Sequence, residues 1–118
     1  MYAEPFAVPE AAVQAVNQAR KEGRRVIAVG TTVVRALESA WDGCAVRPAK
    51  GFTRTFIHPD RGVATVDGLI SGFHDPLASH LAMLYAVAGQ ALIRDAYTQA
   101  VAHGYLWHEF GDSHLLLR

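Results

Sequence analysis

The stretch RRVIAVGTTVVRALES, residues 24–39, decides the fold of this chain. Its first seven letters form an apolar, β-branched run of the kind that builds buried parallel strands. The following Gly-Thr-Thr turns the chain into a segment with helical periodicity. The predicted inner stripe of that helix consists of Val34, Leu37 and Trp41. A strand that leads directly into a helix in this way indicates an α/β fold.

Further elements are predicted on both sides of this unit. A helix should follow Pro9, where proline suits the first turn, and end near Gly23. Residues 42–50 lack periodicity and should form a loop. Downstream we expect strands 51–57 and 63–70 joined by a hairpin at 58–62, a helix that begins at Asp75-Pro76 and ends at Gly89, a second helix that ends near Gly104, and strands 106–110 and 115–117. The fold class is therefore α/β, with a mixed sheet and about four helices.

Composition narrows the classes of function. The chain has 118 residues, 51% of them hydrophobic and 19% charged, as in a folded single domain. Eleven basic residues balance eleven acidic ones, so the basic excess of a freestanding nucleic-acid-binding module is missing. The single cysteine, Cys44, excludes an intramolecular disulfide and suits a reducing compartment. Since no signal peptide or long apolar run is present, we expect a cytoplasmic protein without a membrane contact.

The Gly30-Thr31-Thr32 turn is the first candidate site. Free N–H groups at the start of the following helix can hold a carboxylate or phosphate. Alternatively, Thr31 or Thr32 only caps the helix. Arg35 and Glu38 lie three residues apart on that helix, so they form either a surface ion pair or, with Arg35 as the anion anchor, part of a ligand site.

The remaining candidates follow predicted strands. His74 lies in a turn before a helix and is the natural general acid or base, unless it is only a polar turn residue. Ser79 either binds substrate or caps that helix. Asp67 needs a partner in an ion pair or a substrate hydroxyl, because a buried unpaired carboxylate is costly. Asp112 is a substrate-site or a turn-forming residue. The histidines lack the i, i+4 spacing of zinc motifs, so no metal is expected.

Three segments carry a resemblance to a known family. VGTTVVRALE (29–38), DGLISGFHDPLAS (67–79) and FGDSHLL (110–116) resemble, in order and spacing, the signature segments of S-adenosylmethionine:tRNA ribosyltransferase-isomerases of queuosine biosynthesis. The resemblance covers nearly the whole chain. It implies that residues 1–118 are a single α/β fragment from the C-terminal part of a large, barrel-like domain, and that the upstream part with a β-barrel domain is absent.

The resemblance also implies an activity. These enzymes transfer and isomerise the ribosyl group of S-adenosylmethionine onto an aminomethyl-deazaguanine base in tRNA, which gives epoxyqueuosine, and they need no metal. His74 and Asp112 would be catalytic, and the substrate-binding residues would be Thr31, Thr32, Arg35, Glu38, Asp67 and Ser79. S-adenosylmethionine and, in the full-length enzyme, tRNA would be the partners, and this fragment alone would be inactive. Gly72, Asp75, Leu77 and Ser113-His114 depart from the family pattern. A diverged, non-catalytic binding or assembly module of the same fold is the alternative.

Overall fold

A computed structural model of the chain describes residues 3–72, 78–105 and 112–118. These residues form an α/β structure of helices and two small sheets. The elements in chain order are β1 (Glu4–Val8), α1 (Glu10–Lys21), β2 (Ile27–Val29), α2 (Thr31–Ser39), β3 (Ala49–Thr53), β4 (Gly68–Gly72), α3 (Ala78–Ala88), α4 (Gln90–Ala102) and β5 (Ser113–Leu117).

The predicted helices are confirmed where they can be compared. α1 starts directly after Pro9, and α4 starts after Gly89, whose positive φ of 87° ends the preceding helix. α2 is shorter than its predicted stripe. It ends at Ser39, and Trp41 instead forms an isolated bridge with Val46. The predicted start at Asp75-Pro76 and the predicted strand 106–110 lie outside the described residues.

The larger sheet has three strands in the order β2-β4-β5. β2 and β4 are parallel, as predicted for the deciding stretch, with Val29 opposite Ile70. β5 runs antiparallel to β4, with Gly72 opposite Ser113. The sheet is therefore mixed, as predicted from the sequence. The parallel pair is connected through α2, and β5 is added from the far end of the sequence.

The hairpin predicted at 58–62 is wrong. β3 pairs antiparallel with β1 in a separate two-stranded sheet, whereas β4 belongs to the larger sheet. The apolar residues Val63 and Val66 that suggested a strand are buried in the core without strand pairing. β1 was not predicted, because its sequence EPFAV is short and contains a proline, which weakens any strand signal.

The core lies between the larger sheet and the helices. α2 and α3 contact this sheet and cover one of its faces. That inner face consists of Ala28, Leu69 and Leu116, one residue from each strand, and all three are buried. Val34 and Leu37 on α2 and Met83, Leu84 and Val87 on α3 belong to the same apolar cluster.

Candidate functional site

The carboxyl end of β2 is the centre of the candidate site. Gly30 follows this strand with φ 97°, a left-handed conformation that disfavours other residues. Its N–H donates to the carbonyl oxygen of Ile70 at 2.8 Å, which ties the turn to the end of β4. α2 begins at the next residue, Thr31. The first N–H groups of a helix have no partner within it, so they are positioned to bind an anion at this edge.

Strand register brings further candidates to the same edge. Because Val29 lies opposite Ile70 and Gly72 lies opposite Ser113, the chain just after β2, the end of β4 and the start of β5 are neighbours. Asp112, half-buried, immediately precedes β5. We call this the carboxyl edge: Thr31, Thr32, Gly72 and Asp112. Ser79 lies in the first turn of α3, the helix that follows β4 in the chain.

Gly30, not a threonine, occupies the cap position of α2. The alternative that Thr31 or Thr32 merely caps the helix is therefore wrong. Thr31 is half-buried and Thr32 is exposed within the first turn. Both hydroxyls thus lie in the first turn of α2, and neither caps the helix.

Arg35 makes structural contacts rather than facing open solvent. Its side chain is only 12% exposed, and its Nη1 lies 2.5 Å from Oε1 of Glu4 on β1. Its Nε donates to the carbonyl oxygen of Thr55 at 3.2 Å. The predicted surface pair with Glu38 is wrong, because the two side chains bind different parts of the chain. Arg35 therefore joins α2 to β1 and to the segment after β3.

Glu38 is buried in a cluster of donors. Its side chain is 1% exposed, and Oε1 accepts a 2.8 Å hydrogen bond from Nη1 of Arg61. The N–H of Ala64 lies 3.0 Å from Oε1, and the N–H of Thr65 lies 2.7 Å from Oε2. The hydroxyl of Thr65 donates to Oε2 as well. Burial raises the pKa of this carboxyl, but the bonds from Thr65, Arg61 and Ala64 outweigh burial and hold the pKa below its ordinary value of 4.5.

Asp67 lies at the opposite end of the sheet. It immediately precedes β4, so about 17 Å of strand separates it from Gly72 at the carboxyl edge. Its Oδ2 accepts a 2.8 Å hydrogen bond from the N–H of Val26, just before β2. Its carbonyl oxygen accepts the N–H of Arg118 at 2.8 Å. Asp67 therefore joins the amino ends of β2 and β4 to the chain after β5, and the structure does not bring it to the carboxyl edge.

The comparisons with known proteins identify the family. The sequence model described as "Queuosine biosynthesis protein" matches residues 1–116. The chain belongs to this family. Relatives named S-adenosylmethionine:tRNA ribosyltransferase-isomerase are 48% identical over 118 residues in Thermus thermophilus and in Deinococcus radiodurans. These matches cover 99% and 100% of this chain but only 34% and 33% of the relatives. The chain thus spans about a third of their length.

A solved structure supports the same relationship at the level of the fold. The crystal structure of S-adenosylmethionine tRNA ribosyltransferase from Thermotoga maritima is similar with a TM-score of 0.86 and 35% sequence identity. The similarity covers 96% of this chain and 40% of that one. The α/β arrangement of this chain therefore matches less than half of the Thermotoga maritima structure.

Three further expectations concern the catalytic histidine, a metal site and a membrane-spanning helix. The predicted catalytic residue His74 lies outside the described residues, as does His108. Within residues 3–72, 78–105 and 112–118, no three His, Cys, Asp or Glu side chains are grouped as metal ligands. In that same part of the chain, no helix is long and apolar enough to cross a membrane.

Some contacts of α1 could not be predicted from the sequence. The amide of Asn17 bonds both ways to the backbone of Val46, with Nδ2 at 2.8 Å from the oxygen and Oδ1 at 3.0 Å from the nitrogen. Arg20 donates to the carbonyl oxygen of Ala64 at 2.7 Å and lies over the ring of Trp41. Helical periodicity places Asn17 and Arg20 on one face of α1, but only the folded loops supply their partners.

Proposed function

We propose that this chain is the C-terminal part of an enzyme that transfers and isomerises the ribosyl group of S-adenosylmethionine onto an aminomethyl-deazaguanine base of tRNA, which gives epoxyqueuosine. The observation that carries the proposal is family membership over residues 1–116 together with a helix start and an acidic residue at one sheet edge. S-adenosylmethionine and tRNA are the proposed partners, and the cytoplasm, where tRNA is modified, is the proposed location.

The carboxyl edge provides chemistry that such a reaction uses. The methionine part of S-adenosylmethionine ends in a carboxylate, which the first-turn N–H groups of α2 and the hydroxyls of Thr31 and Thr32 can bind. Ser79, at the start of α3, is proposed to add a further hydroxyl. The sulfonium makes the adjacent C–H acidic, so a base must take that proton, and His74 and Asp112 are the proposed proton carriers.

Arg35 and Glu38 receive a positioning role in this proposal. Both side chains lie on α2, whose first turn forms the anion site, and each joins α2 to another segment. Arg35 joins α2 to β1, and Glu38 joins it to the backbone at Ala64 and Thr65. They would thus fix the direction of the helix start toward the substrate. Asp67 would act on the same sheet from its other end, by aligning β2 with β4.

The test is release of adenine from S-adenosylmethionine by the protein that the complete reading frame encodes. Release should require tRNA that carries the aminomethyl-deazaguanine base. Asp112→Asn should lower turnover about 100-fold, the scale of a lost proton carrier. Asp95→Asn is the matched control, because Asp95 is an exposed carboxylate on α4.

A second pair of variants distinguishes anion binding from proton transfer. Thr32→Ala should raise the KM for S-adenosylmethionine more than it lowers kcat, whereas Thr98→Ala, at an exposed helical threonine, should change neither. No adenine release with any tRNA would contradict the enzymatic proposal. Retained binding of S-adenosylmethionine in calorimetry without turnover would favour the non-catalytic module instead.

A further inference from the structure

Strand β3 and the residues that follow it expose cations and aromatic rings in alternation. Thr53 and Ile57 are buried, whereas Phe52 is 75% exposed and Phe56 is 46% exposed. The side chains at positions 50 and 54 are exposed as well. We call this outward set the exposed β3 row: Lys50, Phe52, Arg54 and Phe56.

The opposite side of the same segment is fixed against α2. The hydroxyl oxygen of Ser39 lies 2.7 Å from that of Thr53 and 3.2 Å from that of Thr55. Consecutive residues of an extended chain point to opposite sides, so the residues between and beside these threonines face away from α2. The threonines thus hold the exposed β3 row in its outward direction.

The surroundings of the two aromatic rings are flat and free of acid from β1. The ring of Phe56 stacks on that of His58, with centroids 5.2 Å apart and an angle of 29° between the planes. Phe52 lies opposite Pro5 of β1, which is also exposed. The acid of β1, Glu4, is on the inner side, where it pairs with Arg35.

The two cations of the row differ from most arginines near them. Arg35 and Arg61 are held by the carboxylates of Glu4 and Glu38. Among the residues that the structure describes, the side chains at positions 50 and 54 take part in no ion pair. Although the chain as a whole has no net charge, this surface therefore presents positive charge that an anionic partner can neutralise.

The row also lies close to the start of α2. The Nε of Arg35 donates to the carbonyl oxygen of Thr55 at 3.2 Å, next to Phe56 in the chain. Thr31 lies four residues before Arg35 on α2, so one helical turn of about 5.4 Å separates the two on the same side of the helix. A molecule bound at the carboxyl edge could thus continue onto the row.

We propose that the exposed β3 row binds unpaired nucleotides of the tRNA, with bases stacked on Phe52 and Phe56 and phosphates paired with Lys50 and Arg54. Aromatic rings interleaved with cations are the arrangement that binds single-stranded nucleic acid. An enzyme that acts on a base takes it out of its stack, so the adjacent bases lose a stacking partner that a protein ring can replace. This inference rests on the proposed function, because it assigns nucleotides beside the reacting base to this surface.

Equilibrium binding of tRNA that carries the aminomethyl-deazaguanine base tests the stacking. The protein encoded by the complete reading frame is titrated and the Kd is measured by fluorescence anisotropy. Phe52→Ala should weaken binding about tenfold, whereas Phe52→Tyr keeps a ring and should bind as wild type does. Leu92→Ala on α4 is the matched control, because Leu92 is an apolar residue that is 52% exposed, and it should leave the Kd unchanged.

Salt dependence tests the phosphate contacts. Lys50→Gln and Arg54→Gln should each reduce the slope of log Kd against log salt concentration by about 0.7, the value for one phosphate of a single strand. Arg94→Gln is the matched control, since Arg94 is exposed on α4, and it should leave the slope unchanged.

Other outcomes overturn the proposal. If wild type binds tRNA and Phe52→Ala binds it equally well, the row does not stack bases. A lower Tm of Phe52→Ala with an unchanged Kd would mean that another part of the protein covers the ring. Binding is measured without turnover, so a wild type that binds tRNA through Phe52 and releases no adenine would contradict the proposed reaction and support the row as an RNA surface.

Discussion

Replacing Glu38 with glutamine should destabilise the fold strongly, although the substitution changes little in size. The carboxylate accepts bonds from the side chain of Arg61, the N–H groups of Ala64 and Thr65, and the Thr65 hydroxyl. An amide keeps one acceptor oxygen and turns an NH2 group toward the other donors. At least one buried donor then lacks a partner, which costs about 1–3 kcal/mol, and the loss of the charge pair with Arg61 raises the total to about 3–5 kcal/mol.

Urea unfolding followed by circular dichroism measures this cost. Glu22→Gln is the matched control, because Glu22 pairs with Arg24 at the exposed surface and should change stability by less than about 1 kcal/mol. A Glu38→Gln cost as small as that of the control would refute the reasoning.

The pH dependence of the same variant gives a second check. Because the folded pKa of Glu38 lies below 4.5, its ionised form stabilises the fold fully above that pH. This contribution is lost as pH falls through the folded pKa. The stability difference between wild type and Glu38→Gln should therefore be constant near neutral pH and narrow in acid. A difference that grows on acidification would contradict the assignment.

Three further substitutions test the framework by thermal unfolding. Gly68→Ala should cost about 1–3 kcal/mol, since its Cβ would meet the carbonyl oxygen of Leu116 at 2.7 Å, and an unchanged Tm would contradict the strand packing. Asn17→Ala should cost about 1–3 kcal/mol by leaving both backbone groups of Val46 without this partner, unlike the exposed control Gln14→Ala. Gly30→Ala should cost about 1–3 kcal/mol because Gly30 has φ 97° and ψ 147°, a conformation that residues with a Cβ rarely adopt, and an unchanged Tm would contradict this reasoning.

The deciding stretch predicted the strand–turn–helix unit well because its signals are local. A β-branched run, a glycine and a helical stripe each act within a few residues, and together they place Thr31 at the end of β2. The three quoted segments gave the family for a related reason. They are short and ordered, so their match does not depend on knowing how the strands pair.

Strand pairing could not be predicted in the same way. β3 pairs with β1, more than forty residues earlier, and not with the apolar stretch that follows it. Val63 and Val66 are apolar because they are buried in the core. A short apolar run in a buried loop has the same sequence pattern as a buried strand, so the pattern could not tell the two apart. The partners of Arg35 and Glu38 were hidden for the same reason, because Glu4 and Arg61 lie 31 and 23 residues away.

The antiparallel addition of β5 has a consequence for the order of folding. The ladder between β4 and β5 joins Gly68 to Leu117, and its other end joins Gly72 to Ser113. Synthesis from the amino end delivers β5 after the four other strands that the structure describes. We therefore expect the edge that carries Asp112 to assemble last, so a chain stalled before β5 would retain its helices and lack that edge.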